Sequence, residues 1–278
     1  MKRIITIQDV SCVGKCASTV ALPIISVAGV EASVLPTAIL STHTQFSKFT
    51  FHDLTDEIPS IMDTLEELEI GFDAIYTGYL GSFRQLELVA DFIDRFGKDA
   101  KVIIDPVMAD NGVLYKGFTE EFALAMAKLC GKADLIIPNL TEASFMLGIP
   151  YNPEYDEAYI RDLLLKLAAL GAKEVALTGI SLEKGKIGVY SYSSESGKFS
   201  YYASTHLPMV YHGTGDVYAS SVVGALMRGY STDDALAIGV DYTLRSMEMT
   251  MADPNPRFYG VNFEEAIPYY IELLSKGR

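Results

Sequence analysis

Several residue types are scarce in this sequence, and each scarcity narrows the class of protein. There is no tryptophan, and the three cysteines (Cys12, Cys16 and Cys130) do not form the pattern of a disulfide framework or a zinc site. Lysine and arginine number 22 against 36 acidic residues, so the net charge is −14. We therefore expect no nucleic-acid partner and no anionic membrane surface as a partner.

Long hydrophobic runs are also missing. No stretch approaches the roughly 18 consecutive apolar residues that a membrane-spanning helix requires. The first seven residues are charged and then briefly apolar, which predicts a first β-strand and not a signal peptide. Together with the absence of a disulfide pattern, this favours a cytoplasmic location.

The chain has 278 residues, of which 49% are hydrophobic, enough for a large buried core. We detect no linker, internal repeat or low-complexity tract, so we predict a single domain over residues 1–278. Short apolar runs predict strands over residues 3–7, 32–36, 74–77, 101–104, 135–137 and 174–178. Helical spacing predicts helices over residues 18–28, 58–68, 85–96, 119–130, 160–170, 217–228 and 232–247.

Strands that are continuously apolar and alternate with helices indicate a parallel sheet that is covered on both faces. We therefore predict an α/β fold: one three-layer α/β/α domain with a mostly parallel central sheet. Residues 187–192 and 198–203 alternate in polarity around a short polar turn, which predicts a β-hairpin late in the chain.

The most informative motif is Gly213-Thr214-Gly215-Asp216, which precedes an apolar helical segment. Glycines let backbone N–H groups approach an anion, and a helix N-terminus carries a partial positive charge. An acid at that position can take a proton from an attacking hydroxyl, so the motif points to phosphoryl transfer to an alcohol. We expect the helix dipole to lower the pKa of Asp216. The alternative is an ordinary turn followed by a helix cap.

Other polar residues follow the predicted strands, where an open α/β sheet places its ligands. These residues are Asp9, Tyr79, Asp105, Asn139 and Thr178. We expect them to converge on one rim of the sheet.

A second group of polar residues suits a cation. Asn139 and Glu142 share a helix face at a strand-to-helix junction, and their hard oxygen atoms suit Mg²⁺. Asp105 and Asp110 lie on one loop after a strand and could complement the same cation. The alternatives are a helix-capping pair and ordinary turn chemistry.

A small substrate pocket with a flat aromatic wall is predicted from four further side chains. They are Asp9, Ser11, Thr44 and Tyr79. The alternative for the segment around Thr44 is a simple surface loop.

Taken together, these motifs resemble the ribokinase (PfkB-like) superfamily, and most closely its pyridoxal kinase branch. The matching segments occur in the family's order over roughly the first 220 residues. They are Ile7-Gln8, His43-Thr44-Gln45, Thr77-Gly78-Tyr79-Leu80-Gly81-Ser82, Asp105-Pro106-Val107-Met108, Pro138-Asn139-Leu140 with Glu142, and Gly213-Thr214-Gly215-Asp216.

The resemblance implies an ATP-dependent kinase that phosphorylates the 5′-hydroxymethyl group of pyridoxal, pyridoxamine or pyridoxine. Asp216 would be the base, and Gly213, Thr214 and Gly215 would form the anion hole. ATP would contact Asp105, Asn139, Thr178 and Thr214, with the predicted hairpin at the nucleotide edge. Glu142 and Asp110 would hold Mg²⁺. The vitamer would contact Asp9, Ser11, Thr44 and Tyr79. The resemblance also implies a homodimer and makes K⁺ a candidate second cation.

The sequence departs from this branch at Asp9, where pyridoxal kinases commonly carry serine. An acid there could pair with a protonated ring nitrogen or with a substrate amine, which suggests pyridoxamine or a related pyrimidine alcohol. Two rival functions remain open at this point. One is a hydroxymethylpyrimidine kinase of the same superfamily, although that branch often has cysteine in place of Asp216. The other is a non-catalytic binding protein on a kinase fold, against which the intact Asp216, Glu142 and Asn139 argue.

Overall fold

The structure is a computed structural model and describes residues 1–209 and 211–276. The strands, in chain order, are β1 (Arg3–Val13), β2 (Glu31–Thr42), β3 (Phe51–Asp53), β4 (Ala74–Thr77), β5 (Lys101–Ile104), β6 (Ala109–Asp110), β7 (Val113–Leu114), β8 (Leu135–Ile136), β9 (Glu174–Ile180), β10 (Lys186–Ser193) and β11 (Phe199–Thr205). The helices are α1 (Ser18–Val27), α2 (Ile58–Glu67), α3 (Phe83–Phe96), α4 (Glu120–Cys130), α5 (Leu140–Met146), α6 (Glu157–Ala168), α7 (Thr214–Met227), α8 (Thr232–Ala252) and α9 (Phe263–Lys276).

One large sheet has the strand order β11-β10-β9-β8-β5-β4-β1-β2-β3. Strands β2, β1, β4, β5, β8 and β9 are parallel to their neighbours within this group. Strand β3 pairs antiparallel with β2 at one edge, and the β10–β11 hairpin extends the other edge by pairing antiparallel with β9. The predicted α/β fold with a mostly parallel sheet is confirmed.

Helices cover both faces of the sheet because successive strand residues point to opposite sides. Ile5 belongs to a core shared with helices α2 to α6. Its neighbour Ile4 belongs to a second core, shared with α1, α7, α8 and α9. Strands buried on both faces need continuous apolar runs, which is why their sequences do not alternate.

Some strands and helices differ from those predicted. Strand β1 continues to Val13 although Gln8, Asp9 and Ser11 are polar, because its backbone pairs with β2 again after a shift in register between Gln8 and Val10. Helix α9 was not predicted, and Pro268 lies inside it. None of the helices in the described ranges combines the length and the hydropathy needed to cross a membrane.

Candidate active site

The glycine motif forms the start of α7. Gly213 is the residue that precedes the helix, with φ of 76°, and Asp216 lies in the first turn. A Cβ atom at Gly213 would lie 1.9 Å from the backbone oxygen of Lys15, so only glycine fits there. The loop after β1 and the glycine motif therefore pack directly against each other.

Asp216 is half-buried, and its carboxylate accepts a hydrogen bond from the backbone N–H of Ala17. Burial nevertheless raises the pKa of Asp216 from 3.8 to about 7, and the nearby charge of Asp9 raises it further. The expectation of a low pKa was wrong, because the loss of hydration outweighs the helix dipole and one hydrogen bond. A carboxyl group with a pKa near 7 is better suited to act as a general base.

A cavity of about 540 Å³ opens in front of Asp216. It brings together most of the residues that the sequence singled out for phosphate, nucleotide and cation binding. These lining residues are Asp105, Asp110, Asn139, Glu142, Thr178, Gly213, Thr214, Gly215 and Asp216. They come from the segments that follow β5 and β8, from β6, α5 and β9, and from the start of α7, so the sheet topology explains much of their convergence.

Glu142 has a structural role in this cavity. Its carboxylate accepts hydrogen bonds from the backbone N–H groups of Asn139 (2.9 Å) and Met108 (3.1 Å), and the side chain of Asn139 caps α5 in return. Asn139 and Glu142 therefore form a helix-capping pair, which was the alternative to cation binding. Asp105 is buried beside Glu142, and burial followed by the charge of Glu142 raises the pKa of Asp105. Burial and the charge of Asp110 raise the pKa of Glu142 to about 7, although its backbone hydrogen bonds oppose that shift. A cation that entered the cavity would be attracted to this pair.

Asp110 is exposed at the β6–β7 hairpin, where its carboxylate accepts hydrogen bonds from the backbone and side chain of Asn111. Across the described residues, no three His, Cys, Asp or Glu side chains are grouped closely enough to hold a metal ion by themselves.

The predicted substrate side lies next to Asp216, on β1. Asp9 is buried, Ser11 Oγ lies 3.2 Å from its Oδ2 atom as a hydrogen-bond donor, and burial raises the pKa of Asp9 to about 6. The charge of Asp9 acts on Asp216 and on Tyr79, so these groups are neighbours. Thr44 is different: it is exposed in the turn after β2.

His43, beside Thr44, was not predicted as a site residue, yet it is buried. Its Nδ1 atom accepts from the backbone N–H of Gln45, so its Nε2–H donates to the backbone oxygen of Tyr259 at 2.9 Å. Its ring contacts Phe46 and lies 6.0 Å from the ring of His212, which lines the cavity. The His-Thr-Gln segment was a sequence signal for His43. Its contact with Tyr259 could not be predicted, because the two residues are far apart in the chain.

The far end of the cavity is lined by apolar side chains, which were not predicted as site residues. Val240, Leu244 and Met247 line it from α8, opposite Ile187 at the start of β10. Their spacing of four and three residues places them on one helix face. That spacing was visible in the sequence, but it is equally typical of ordinary core packing.

Ala17, which donates to Asp216, has an unusual backbone conformation. Its φ is 48° and its ψ is −136°, a region that side chains with a Cβ rarely adopt. We expect Ala17→Gly to raise the free energy of unfolding by about 1 kcal/mol, because the relief of strain exceeds the added chain entropy. Urea denaturation would measure this change.

Ala28 provides the matched control at the other end of α1. It is equally buried but has a helical φ of −69°. We expect Ala28→Gly to be destabilising by about 0.5–1 kcal/mol. If both substitutions lowered stability equally, the backbone at Ala17 would not be strained.

Comparison with known proteins agrees with this geometry. The phosphomethylpyrimidine kinase family matches residues 22–257. The pyridoxal kinase PdxY of Pasteurella multocida is 28% identical over 256 residues, which cover 84% of each protein. A Bacteroides thetaiotaomicron protein described as a phosphomethylpyrimidine kinase has been crystallised with pyridoxal. Its structure matches this one with a TM-score of 0.92 at 38% identity, and the match covers 97% of this chain and 96% of that chain.

The pyridoxal kinase of Lactobacillus plantarum has a TM-score of 0.91 at 28% identity, and the match covers 98% of both chains. The similarity therefore extends over nearly the whole chain. This chain belongs to the phosphomethylpyrimidine kinase family and, within the ribokinase-like superfamily, to the pyridoxal kinase branch.

Proposed function

We propose that this protein transfers the γ-phosphoryl group of ATP to the 5′-hydroxymethyl group of a B6 vitamer: pyridoxal, pyridoxamine or pyridoxine. The single observation that carries the proposal is the position of Asp216. It lies in the first turn of α7, beside the glycine N–H groups, and faces the same cavity as Asp105 and Glu142. Such a site supplies a base and an anion hole for one reaction.

The nucleotide would occupy the 540 Å³ cavity. Its base would lie against the apolar side chains of α8 and the start of β10, and its phosphates would extend past Thr178 and Asn139 toward Gly213–Gly215. Asp105 and Thr214 would lie near the transferring group. The open N–H groups at the start of α7 point to where negative charge develops, which favours the transition state.

The attacking alcohol would approach from the side of Asp9. The carboxylate of Asp216 accepts the proton of the 5′-hydroxyl group as the new P–O bond forms. The N–H of Ala17 holds this carboxylate in place. The resulting alignment of alcohol and phosphoryl group supplies most of the rate enhancement, since phosphoryl transfer depends mainly on positioning and charge stabilisation.

A divalent cation fits the donor set. Four carboxylates line the cavity (Asp105, Asp110, Glu142 and Asp216), so ATP would add negative charge to an acidic space. Glu142, through water, and Asp110 would hold Mg²⁺, which would neutralise phosphate charge when it is bound. K⁺ is proposed as a second cation on the family resemblance alone.

Asp9, Ser11 and Tyr79 would contact the pyridine ring, and Thr44 would have to turn inward to join them. We expect Asp9→Ser to lower kcat/KM for pyridoxamine relative to pyridoxal by about tenfold, because the substitution removes a charged partner of the amine. Steady-state kinetics with both vitamers would measure this. An unchanged ratio would show that Asp9 does not select between them.

The function is tested by ADP release with each vitamer in turn and with hydroxymethylpyrimidine. We expect turnover with at least one vitamer and much less with the pyrimidine. Turnover with the pyrimidine alone would assign the protein to hydroxymethylpyrimidine phosphorylation. ADP binding without turnover on any alcohol would favour a non-catalytic binding protein.

We also propose a homodimer in the cytoplasm. Val34, Ile39 and Phe51 expose apolar surface along strands β2 and β3 at one edge of the sheet, which suits a second copy of the chain. The free state of Cys12, Cys16 and Cys130 is compatible with a reducing compartment.

A further inference from the structure

Four polar side chains are completely buried on the sheet face that α1 and α7 cover. Thr6 and Gln8 belong to β1 and point to the same face, since they are two residues apart. Tyr76 belongs to β4 and is paired in register with Thr6. Ser220 belongs to α7, and all four side chains have 0% exposure.

This polar cluster (Thr6, Gln8, Tyr76 and Ser220) lies beneath the proposed base. Asp216 and Ser220 are four residues apart on α7, so they share a helix face with Ser220 one turn deeper. The hydroxyl group of Tyr76 lies within interaction range of Ser220 and of the charges of Asp105 and Asp216. The cluster therefore borders the reaction site from inside the protein.

Most of these side chains are not satisfied by protein atoms. Gln8 Nε2 donates to Thr6 Oγ1. The Oε1 atom of Gln8 lies beside Gly78, where a Cβ would approach to 2.6 Å. Counting every residue that the structure describes, Gln8 Oε1, Tyr76 OH and Ser220 Oγ have no hydrogen-bond partner.

Three unpaired polar atoms in one cluster require an explanation. Each would destabilise the folded protein if it stayed unpaired. A buried water molecule typically bonds to two to four such groups, and this cluster offers one acceptor and two hydroxyl groups. An accidental packing defect is the alternative, and it predicts no link to the chemistry of Asp216.

We propose that Gln8, Tyr76 and Ser220 bind a buried water molecule one helical turn beneath Asp216, and that this network positions the Asp216 carboxylate and favours its charged form. The positioning role rests on the proposed function of Asp216 as the base. The water site itself depends only on the buried cluster.

Several titratable groups face Asp216 and set the background for this effect. They are Asp9 from β1, Cys16 from the loop before α1, Tyr76 from β4, Asp105 after β5 and Tyr115 after β7. Asp9 opposes the ionisation of Asp216, whereas a hydrogen-bond donor from the network would favour it. Removing that donor raises the pKa of Asp216, so the acidic limb of the kcat profile moves to higher pH.

The test uses Tyr76→Phe and Ser220→Ala in the full-length enzyme. Both remove an unpaired hydroxyl group, so we expect both variants to fold. The acidic limb of kcat should move up by about 0.5 pH unit, which lowers kcat about threefold below the limb, with KM for ATP and vitamer unchanged. A high-resolution crystal structure of the wild type should contain an ordered water bonded to all three side chains.

Tyr242→Phe is the matched control. Tyr242 is equally buried on the same side of the sheet, but its hydroxyl donates to the backbone oxygen of Phe263 at 2.9 Å. We expect this variant to lose stability without moving the pH limb.

The proposal would be overturned if the acidic limb of the kcat profile stayed at the wild-type pH in both Tyr76→Phe and Ser220→Ala. It would also be overturned if the wild-type crystal structure held no ordered water at the polar cluster. A wild-type enzyme that phosphorylates no vitamer would instead overturn the proposed function, and the crystallographic test of the water site would still stand.

Discussion

We expect Asp216→Asn to lower kcat about a thousandfold, while ADP still binds within about twofold of the wild-type affinity. The amide cannot accept the proton of the attacking alcohol, but it preserves the shape of the cavity and the start of α7. Rapid-quench kinetics and calorimetric titration of ADP would separate the two effects.

Asp156→Asn is the control for the loss of a carboxylate elsewhere. Asp156 caps α6 by accepting from the backbone N–H of Tyr159, and asparagine caps a helix equally well. We expect wild-type turnover from this variant. Wild-type turnover from Asp216→Asn as well would remove Asp216 from the role of base.

Asp216→Asn should also stabilise the fold at alkaline pH. The carboxyl group of Asp216 has a pKa of about 7 in the folded protein against 3.8 as its ordinary value, so the folded state binds the proton more tightly. Stability therefore falls as the pH rises from about 4 to about 7, and asparagine avoids that loss. We expect Asp216→Asn to gain on the order of 1–3 kcal/mol in unfolding free energy at pH 8 and almost nothing at pH 4.

Denaturant titrations at the two pH values test this expectation. A variant whose stability relative to the wild type is the same at pH 8 and pH 4 would show that burial does not raise the pKa of Asp216. Loss of turnover combined with higher stability would mark a residue kept for function at the expense of stability.

The second large effect concerns Gly213 and Gly215 of the proposed anion hole, whose substitutions should have different consequences. Gly213→Ala places a methyl group 1.9 Å from the backbone oxygen of Lys15 at a φ of 76°. We expect it to displace the loop, lower the free energy of unfolding by about 2–4 kcal/mol and reduce kcat at least a hundredfold. Thermal denaturation and steady-state kinetics would both detect it.

Gly215 is the matched contrast. A Cβ atom there would meet no other heavy atom within 4 Å, and Gly215 lines the cavity. We expect Gly215→Ala to fold with at least wild-type stability, since alanine favours the helix, and still to lose about tenfold in kcat because the methyl group occupies phosphate space. Wild-type kcat would place the phosphate elsewhere.

Local sequence signals were sufficient for the parallel strands of the sheet and for the polar residues on one rim. The mostly apolar runs Ala74–Thr77 and Lys101–Ile104 have the bounds that were predicted, because burial on both faces favours continuous apolar segments. Asp105, Asn139 and Thr178 could be placed on one rim, since parallel strands end at the same edge.

Features that depend on tertiary contacts could not be predicted in this way. The raised pKa of Asp216 reflects burial and the charge of Asp9, which lies about two hundred residues earlier in the chain. The contact between His43 and Tyr259 joins a turn after β2 to the segment before α9, and no local pattern links them. The strained φ of Ala17 also has no sequence signal, since alanine normally avoids that region.

The most direct measurement is a single-turnover reaction with γ-labelled ATP, excess enzyme and pyridoxal, followed by separation of the products. The label should appear in pyridoxal 5′-phosphate at a rate that rises with pH through about 7, in step with the ionisation of Asp216, and Asp216→Asn should abolish that transfer. Label that remained in ATP, or appeared only as inorganic phosphate, would contradict the assignment of this cavity to phosphoryl transfer between ATP and a vitamer.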